Sequence, residues 1–288
     1  MTIKEALHQA AKTLTAHAID DASLEAELIL MHLLGIERAH LYTRLEEELS
    51  PGDGAALAQL ICRRLAHEPL AYIIGHREFF GHDFHVAPGV LIPRAESELL
   101  VEEAVDFMNH RFPKSDPLIA EIGTGSGAIA ISLALLLPRA RVYATDISLR
   151  ALEIAAINCE RHKVRVHLLE GDLLAPLPEP VDIIIANLPY IRDGELNGLS
   201  AEIRMYEPVV ALAGGGDGLD KMRQLLVNAP EKLRPGGVIL LEIGPAQGPA
   251  LTSLAKGLFS GAEIALVQDL SGVARVLKVI LTKNRVEI

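Results

Sequence analysis

The 288 residues are half hydrophobic and 23% charged, a balance that suits a water-soluble chain with one large core and a smaller second domain. The formal net charge is −11, with 7 basic against 13 acidic residues in positions 1–85 and 20 against 25 in the remainder, so neither part has the basic excess of a protein that lives on nucleic-acid phosphates. Cys62 and Cys159 lie far apart, the N-terminus lacks an apolar signal core, and no apolar run is long enough for a bilayer, which together predict a cytoplasmic protein without disulfides or membrane spans.

The first 70 residues read as helices. Thr2 and Glu5 have the spacing of a capping box. A second helix follows Asp21, with Leu24, Leu28, Met31 and Leu34 as its expected buried stripe and Gly35 as its stop. A third starts at Ser50-Pro51 and ends before Pro69, with Cys62 expected in its core face. From Arg77 to Pro93 the texture turns strand-like, through Phe79, Phe80, Phe84, Val86, Val90 and Ile92, punctuated by Gly81, Pro88 and Gly89, which predicts a β-hairpin linker. A helix is expected from Glu96 to about His110, and a loop over 113–117.

Beyond that point short apolar runs alternate with helical patterns. Strands are predicted at Leu118–Ile122, Arg141–Thr145, Arg165–Leu169, Val181–Ala186 and Val238–Ile243, and helices at about 128–137, 149–162 and 219–233. That alternation predicts an α/β fold, a mainly parallel Rossmann-like sheet covered by helices on both faces. Glu263–Val267 and Ala274–Leu281 would close it as an antiparallel hairpin. The expected organisation is a helical bundle over 1–75, a hairpin linker over 76–95 and the sheet domain over 96–288.

Glu121-Ile122-Gly123-Thr124-Gly125-Ser126-Gly127 joins the first of these strands to a helix. Glycines there let backbone approach a ligand and bring helix N–H groups beside it. The next strand ends in Asp146, 23 residues after Gly123, where a carboxylate can accept hydrogen bonds from a ribose diol. The glycine spacing differs from the G-x-G-x-x-G of dinucleotide sites. Glu121 would repel a pyrophosphate but suits the ammonium end of S-adenosylmethionine. Asp172 and Leu173, after the third strand, are candidates for the adenine amine and the adenine face.

The fourth strand ends in Asn187-Leu188-Pro189-Tyr190, which an open α/β sheet should place in the same crevice. An amide or aromatic-amine nitrogen is a poor nucleophile because its lone pair is delocalised. The Asn187 side-chain oxygen and the Leu188 carbonyl could accept its two N–H groups and orient it toward a methyl donor. Pro189 would stiffen the turn, and Tyr190 could stack on the planar group. These residues imply methyl transfer from S-adenosylmethionine, leaving S-adenosylhomocysteine, to a planar nitrogen. A DNA or RNA adenine N6-methyltransferase needs the same two acceptors, and a cofactor-binding module without turnover is a third reading.

In these motifs the chain resembles the bacterial peptide release factor glutamine methyltransferase family, also called HemK or PrmC. The likeness runs through Glu68–Gly75, Phe79-Phe80-Gly81, Leu91–Glu98, the glycine loop, Asp146-Ile147-Ser148, Asn187–Tyr190, Glu207-Pro208, Gly215–Asp220 and Leu241–Gly244. It departs at Leu188, where the family reads Pro, and at Ala95 and Ser97 in a segment the family reads Pro-Arg-Pro-Glu-Thr. The resemblance implies a class I methyltransferase, with Ile147 joining the cofactor site and Arg94 and Glu96 placed beside the acceptor. It implies transfer to the glutamine of the release factors' Gly-Gly-Gln motif, an N-terminal domain that grips the release factor, and a monomer that binds no nucleic acid, membrane or metal. Arg94 and Glu96 could pair with each other. His82 and His85 have no third ligand nearby in sequence and are read as hairpin packing, and Glu46–Glu48 as a solvated face.

Overall fold

The computed structural model describes residues 1–111 and 116–282, so most of the loop expected over 113–117 lies outside the described residues. The chain forms two contact units, one of Met1–His76 with Ser200–Tyr206 and the other of Arg77–Leu199 with Glu207–Ile288.

The first unit is a helical bundle: α1 (Ile3–Ala16), α2 (Ala22–Leu34), α3 (Arg38–Thr43), α4 (Pro51–Leu65) and α5 (Leu70–Ile74). Its helix starts follow side-chain chemistry. Thr2 and Glu5 complete a capping box on α1, and Ser50 accepts the Asp53 N–H ahead of Pro51 on α4. The buried face of α2 is not the predicted stripe. It is Ala22, Ala26, Ile29 and Leu30, while Leu24 is 44% exposed. The helix is apolar nearly all round, so periodicity could not choose a face. Small residues at 22 and 26 let α1 approach closely, and that packing decides. Cys62 is likewise exposed, because α4 buries Leu57, Ile61 and Arg64 instead. Residues Ala201–Tyr206 form a short helix, numbered α9 in chain order, that belongs to this unit. The Tyr206 hydroxyl donates to the Ala66 carbonyl, and Arg64, nearly buried, pairs with both Glu25 and Glu202.

The second unit opens, from Arg77, within the hairpin of β1 (His76–Phe79) and β2 (His82–His85), turned at Phe80 and Gly81, both with positive φ. The segment 86–94 continues without a strand. Val90 and Ile92, expected in strands, are buried without strand pairing, and the Ile92 N–H donates to Glu207 Oε2 at 3.4 Å. Helix α6 (Glu98–Arg111) leads to β3 (Leu118–Ile122), α7 (Ala128–Leu136), β4 (Arg141–Asp146), α8 (Leu149–His162), β5 (Val166–Glu170) and β6 (Val181–Ala186). After α9 follow α10 (Asp220–Lys232), β7 (Leu233–Glu242), α11 (Gly248–Leu258), β8 (Glu263–Gln268) and β9 (Ala274–Ile280). The seven-stranded sheet has the order β5-β4-β3-β6-β7-β9-β8, parallel except for β9, which runs antiparallel to β7 and to β8. β3 and β6 are buried at every position, as central strands covered on both faces must be. One core layer, with Phe79, Phe84, Phe107, Ile129 and Leu133, covers one side, and another, with Leu225, Leu226, Leu241 and Leu251, the other. Strand order reverses between β3 and β6, which opens a crevice beyond their carboxyl ends.

Candidate active site

The loop after β3 is fixed by backbone. The Gly123 and Thr124 N–H groups both donate to the Thr145 carbonyl, at 2.8 and 2.9 Å, and the Gly125 N–H donates to Asp146 Oδ2 at 2.9 Å. Gly127 turns into α7 with φ +82°, and a Cβ there would lie 3.0 Å from Ile131 and 3.2 Å from Ala155, so helix packing as well as conformation requires glycine. Among the described residues the N–H groups of Ser126, Ala128 and Ile129 meet no acceptor, and all three residues line a cavity at the head of α7. Free donors at a helix N-terminus suit a carboxylate.

Glu121, the fourth residue of β3, sits under this loop almost without solvent exposure. Its Oε2 accepts the Thr124 hydroxyl at 2.5 Å and the Ala130 N–H at 2.9 Å. Burial pushes its carboxyl up to about 8, against the pull of those two donors. Asp146 accepts on both oxygens, from Gly125 and from the Ser148 N–H at 2.9 Å, and keeps lone pairs free on the cavity wall. Ile147 is 57% exposed beside it. Asp172 reaches the same wall but is engaged by Lys221 at 3.1 Å and Gln224 at 3.2 Å, both on α10. Leu173, with φ +48°, is held by the Thr145 hydroxyl, which donates to its carbonyl at 2.9 Å.

On the far side of the crevice, β6 delivers Asn187, Leu188 and Pro189 to the same cavity. Asn187 Nδ2 donates to Ser97 Oγ at 2.9 Å, and Ser97 Oγ donates to Glu242 Oε2 at 2.5 Å. Burial raises the Glu242 carboxyl above the usual range; the Ser97 hydroxyl, Arg275 and the Tyr190 phenol oppose that rise, and Glu96 adds to it. Among the described residues neither Asn187 Oδ1 nor the Leu188 carbonyl accepts a hydrogen bond, and Asn187 Oδ1 is not among the buried side-chain atoms without a partner. The Leu188 side chain is buried in the core beneath the glycine loop, 3.3 Å from where a Gly123 Cβ would stand.

The cavity therefore unites the glycine loop, Glu121, Asp146, Ile147, Asp172, Leu173, Arg94 and Asn187 to Pro189. Three of the sequence candidates are not on its wall. Gly127 acts through packing, Glu96 is exposed on the turn before α6, and Tyr190 is largely buried, with burial pushing its phenol up to about 12. The Tyr190 ring lies against Gly244, 3.5 Å from a Cβ built there. Arg94 pairs with Glu207 rather than Glu96, because Glu207 is buried and must have a cation, whereas Glu96 has water. Sequence reading passed over Ser97, Glu242, Glu207 and Lys221. Each stands in or beside a quoted motif, yet its partner is 145 residues away for Ser97 and 113 for Arg94.

Comparison with known proteins shows the family. Residues 5–75 match the PrmC N-terminal domain and residues 96–217 the methyltransferase small domain. The chain is 46% identical over 275 residues to the release factor glutamine methyltransferase of Moorella thermoacetica, covering 94% of this chain and 96% of that one. It belongs to the release factor glutamine methyltransferase family. The Geobacter sulfurreducens member is 41% identical over 280 residues, covering 96% of this chain and 95% of its own. Among solved structures, a methyltransferase from Pyrococcus furiosus superposes with a TM-score of 0.51 at 20% identity, over 70% of this chain and 90% of that one, which shows the fold. The family is S-adenosylmethionine-dependent, and this cavity fits that cofactor, with free helix N–H groups for a carboxylate, Glu121 for an ammonium and Asp146 for a diol.

Proposed function

We propose that this chain transfers the methyl group of S-adenosylmethionine to the side-chain amide nitrogen of the glutamine in the release factors' Gly-Gly-Gln motif. The observation that carries the proposal is a pair of open acceptors on adjacent residues, Asn187 Oδ1 and the Leu188 carbonyl, at the edge of the cavity. A primary amide has two N–H groups. Binding one to each acceptor fixes the nitrogen in place and draws electron density onto it. The curated relatives favour this protein substrate over the adenine alternative, since their names specify release factor glutamine.

Ser126, Ala128 and Ile129 N–H groups take the cofactor's carboxylate, Glu121 its ammonium and Asp146 its ribose diol. Leu173 and Ile147 supply apolar faces for the adenine, and Asp172 lies within its polar rim. When bound, S-adenosylmethionine supplies a methyl on a positively charged sulfur, a leaving group good enough that no strong base is needed. Asn187 and Leu188 then do the work of orientation, and the amide proton released after transfer passes to solvent. Arg94, held by Glu207, lines the cavity together with Pro208, Val210 and Ala211. We further propose that the enzyme acts as a cytoplasmic monomer, with its N-terminal bundle gripping the release factor. No helix among the described residues is long and apolar enough to cross a membrane.

The test is direct. Purified protein, a release factor and S-adenosylmethionine are mixed, and peptide mass spectrometry locates the added methyl, expected on the Gly-Gly-Gln glutamine. Asn187→Ala should lower kcat by on the order of 100-fold or more while cofactor affinity holds. Normal turnover by that variant refutes the two-acceptor mechanism.

A further inference from the structure

We infer that Ser97 and Glu242 are positioning residues that set which way round the Asn187 amide stands, and therefore which atom it shows to the acceptor nitrogen. The inference rests on the proposed role of Asn187 and extends it to two side chains on other elements. An asparagine amide is almost symmetric in shape: oxygen and NH2 occupy nearly the same space, so packing alone cannot choose between them. Only a hydrogen-bonding partner of fixed polarity can. If the NH2 faced the cavity, it would meet the substrate's N–H donors with donors of its own, and the clamp would be lost.

Ser97 cannot supply the polarity by itself, because a hydroxyl both donates and accepts. It has one proton, however, and Glu242 takes it at 2.5 Å. A carboxylate oxygen accepts, so the Ser97 proton is committed toward β7. The lone pairs of Ser97 Oγ are left for Asn187, whose Nδ2 donates into them at 2.9 Å. Polarity is thus handed from the end of β7 to the start of α6 and on to the exit of β6. Asn187 Oδ1 is left as the end that faces the cavity. Ser97 and Glu242 are both about 3% exposed, so water does not compete for these bonds.

The experiment uses the full chain with a purified release factor. Ser97→Ala and Glu242→Gln should each lower kcat by on the order of 10- to 100-fold, since glutamine can donate to Ser97 as well as accept. The affinity for S-adenosylhomocysteine, read by calorimetry, should change less than about threefold. Ser97→Thr, which keeps the hydroxyl, should restore most of the rate lost in Ser97→Ala. The second readout needs no turnover. The side-chain 15N–H2 signals of Asn187, assigned by their loss in Asn187→Ala, should exchange slowly with solvent in the native protein and rapidly in both relay variants. Native kcat in Ser97→Ala, or a threonine variant as slow as the alanine, overturns the inference; if Ser97→Ala does not fold, unchanged kcat and exchange in Glu242→Gln do so. A native enzyme that leaves release-factor glutamine unmethylated defeats the function proposed above, while the exchange measurement still decides the relay.

Discussion

Glu121→Gln separates the charge of the buried carboxylate from its shape. In the empty protein burial lifts Glu121 to about 8, so at pH 7 roughly nine-tenths of it is protonated. A cofactor ammonium about 4 Å away would gain about 4 kcal/mol from the ionised form at an effective dielectric constant of 20. Removing the proton at pH 7 costs about 1.4 kcal/mol, which leaves about 2.6 kcal/mol. Glutamine keeps an oxygen for Thr124 and Ala130 and retains roughly 1 kcal/mol of neutral hydrogen bonding. The variant should therefore bind S-adenosylhomocysteine between about 10- and 100-fold more weakly. The control is 5′-methylthioadenosine, which has the nucleoside but no amino acid end, and whose affinity should stay the same. Isothermal titration of the native protein at pH 7 in buffers of different ionisation enthalpy should show release of most of one proton on binding.

The same group makes a stability prediction with a definite sign. Between the ordinary value of 4.5 and about 8, the unfolded chain has lost the Glu121 proton while the empty folded protein retains it. Folding then takes up a proton, so the empty protein loses stability as pH rises through that window and levels off above it. The span sets an upper limit of about 5 kcal/mol. Denaturant titrations at pH 5, 7 and 9 should show this slope in the native protein and a shallower one in Glu121→Gln. Equal slopes would refute the raised Glu121 carboxyl, and a loss of methylthioadenosine affinity matching that of S-adenosylhomocysteine would refute the placement of an ammonium at Glu121.

The remaining predictions concern neighbouring groups. Asn158, fully buried on α8, accepts the His85 N–H and donates to the His85 and Ser126 carbonyls, so Asn158→Ala strands several buried backbone groups and should cost about 3 kcal/mol by chemical denaturation. Asp146→Asn gives up one of the two acceptors that hold Gly125 and Ser148 as well as the charge toward the diol, and calorimetry should find cofactor affinity down by about 10- to 100-fold. Leu188→Pro restores the residue usual in the family; the Leu188 N–H donates to no acceptor among the described residues, so kcat should stay within about threefold while packing under Gly123 loosens by about 1 kcal/mol.

The fold was legible wherever local chemistry and packing agree. The β3 and β6 runs are apolar but for Glu121 and Asp182, because both faces of these strands are covered. Capping side chains marked the starts of α1 and α4 for the same reason: the bond that ends the chain's freedom is made within three residues. Where packing alone decides, the sequence is mute. The face of α2 is chosen by what Ala22 and Ala26 admit, and Val86 to Pro93 is held by burial without strand pairing. The short helices α3, α5 and α9 are stabilised by their neighbours and carry too few residues to show a period.

The site divides along the same line. Gly123, Asp146 and Asn187 could be expected in one crevice from sequence because each stands at or just beyond the end of a strand, and the parallel sheet puts those ends together. Ser97 and Glu242 have no such local mark: a serine before a helix reads as a cap and a glutamate ending a strand reads as solvated. What makes them informative is a bond across 145 residues, buried on both sides. If the relay orients Asn187, Leu in place of Pro at position 188 should leave the amide where it is. If the amide were oriented by the stiffness of its own turn, a more flexible neighbour would let it rotate; oriented from β7 through Ser97, it stays fixed whatever follows it. Leu188→Pro and Ser97→Ala therefore make opposite demands on the same side chain. A large rate change in the first with none in the second would mean that the turn, and not the relay, holds Asn187.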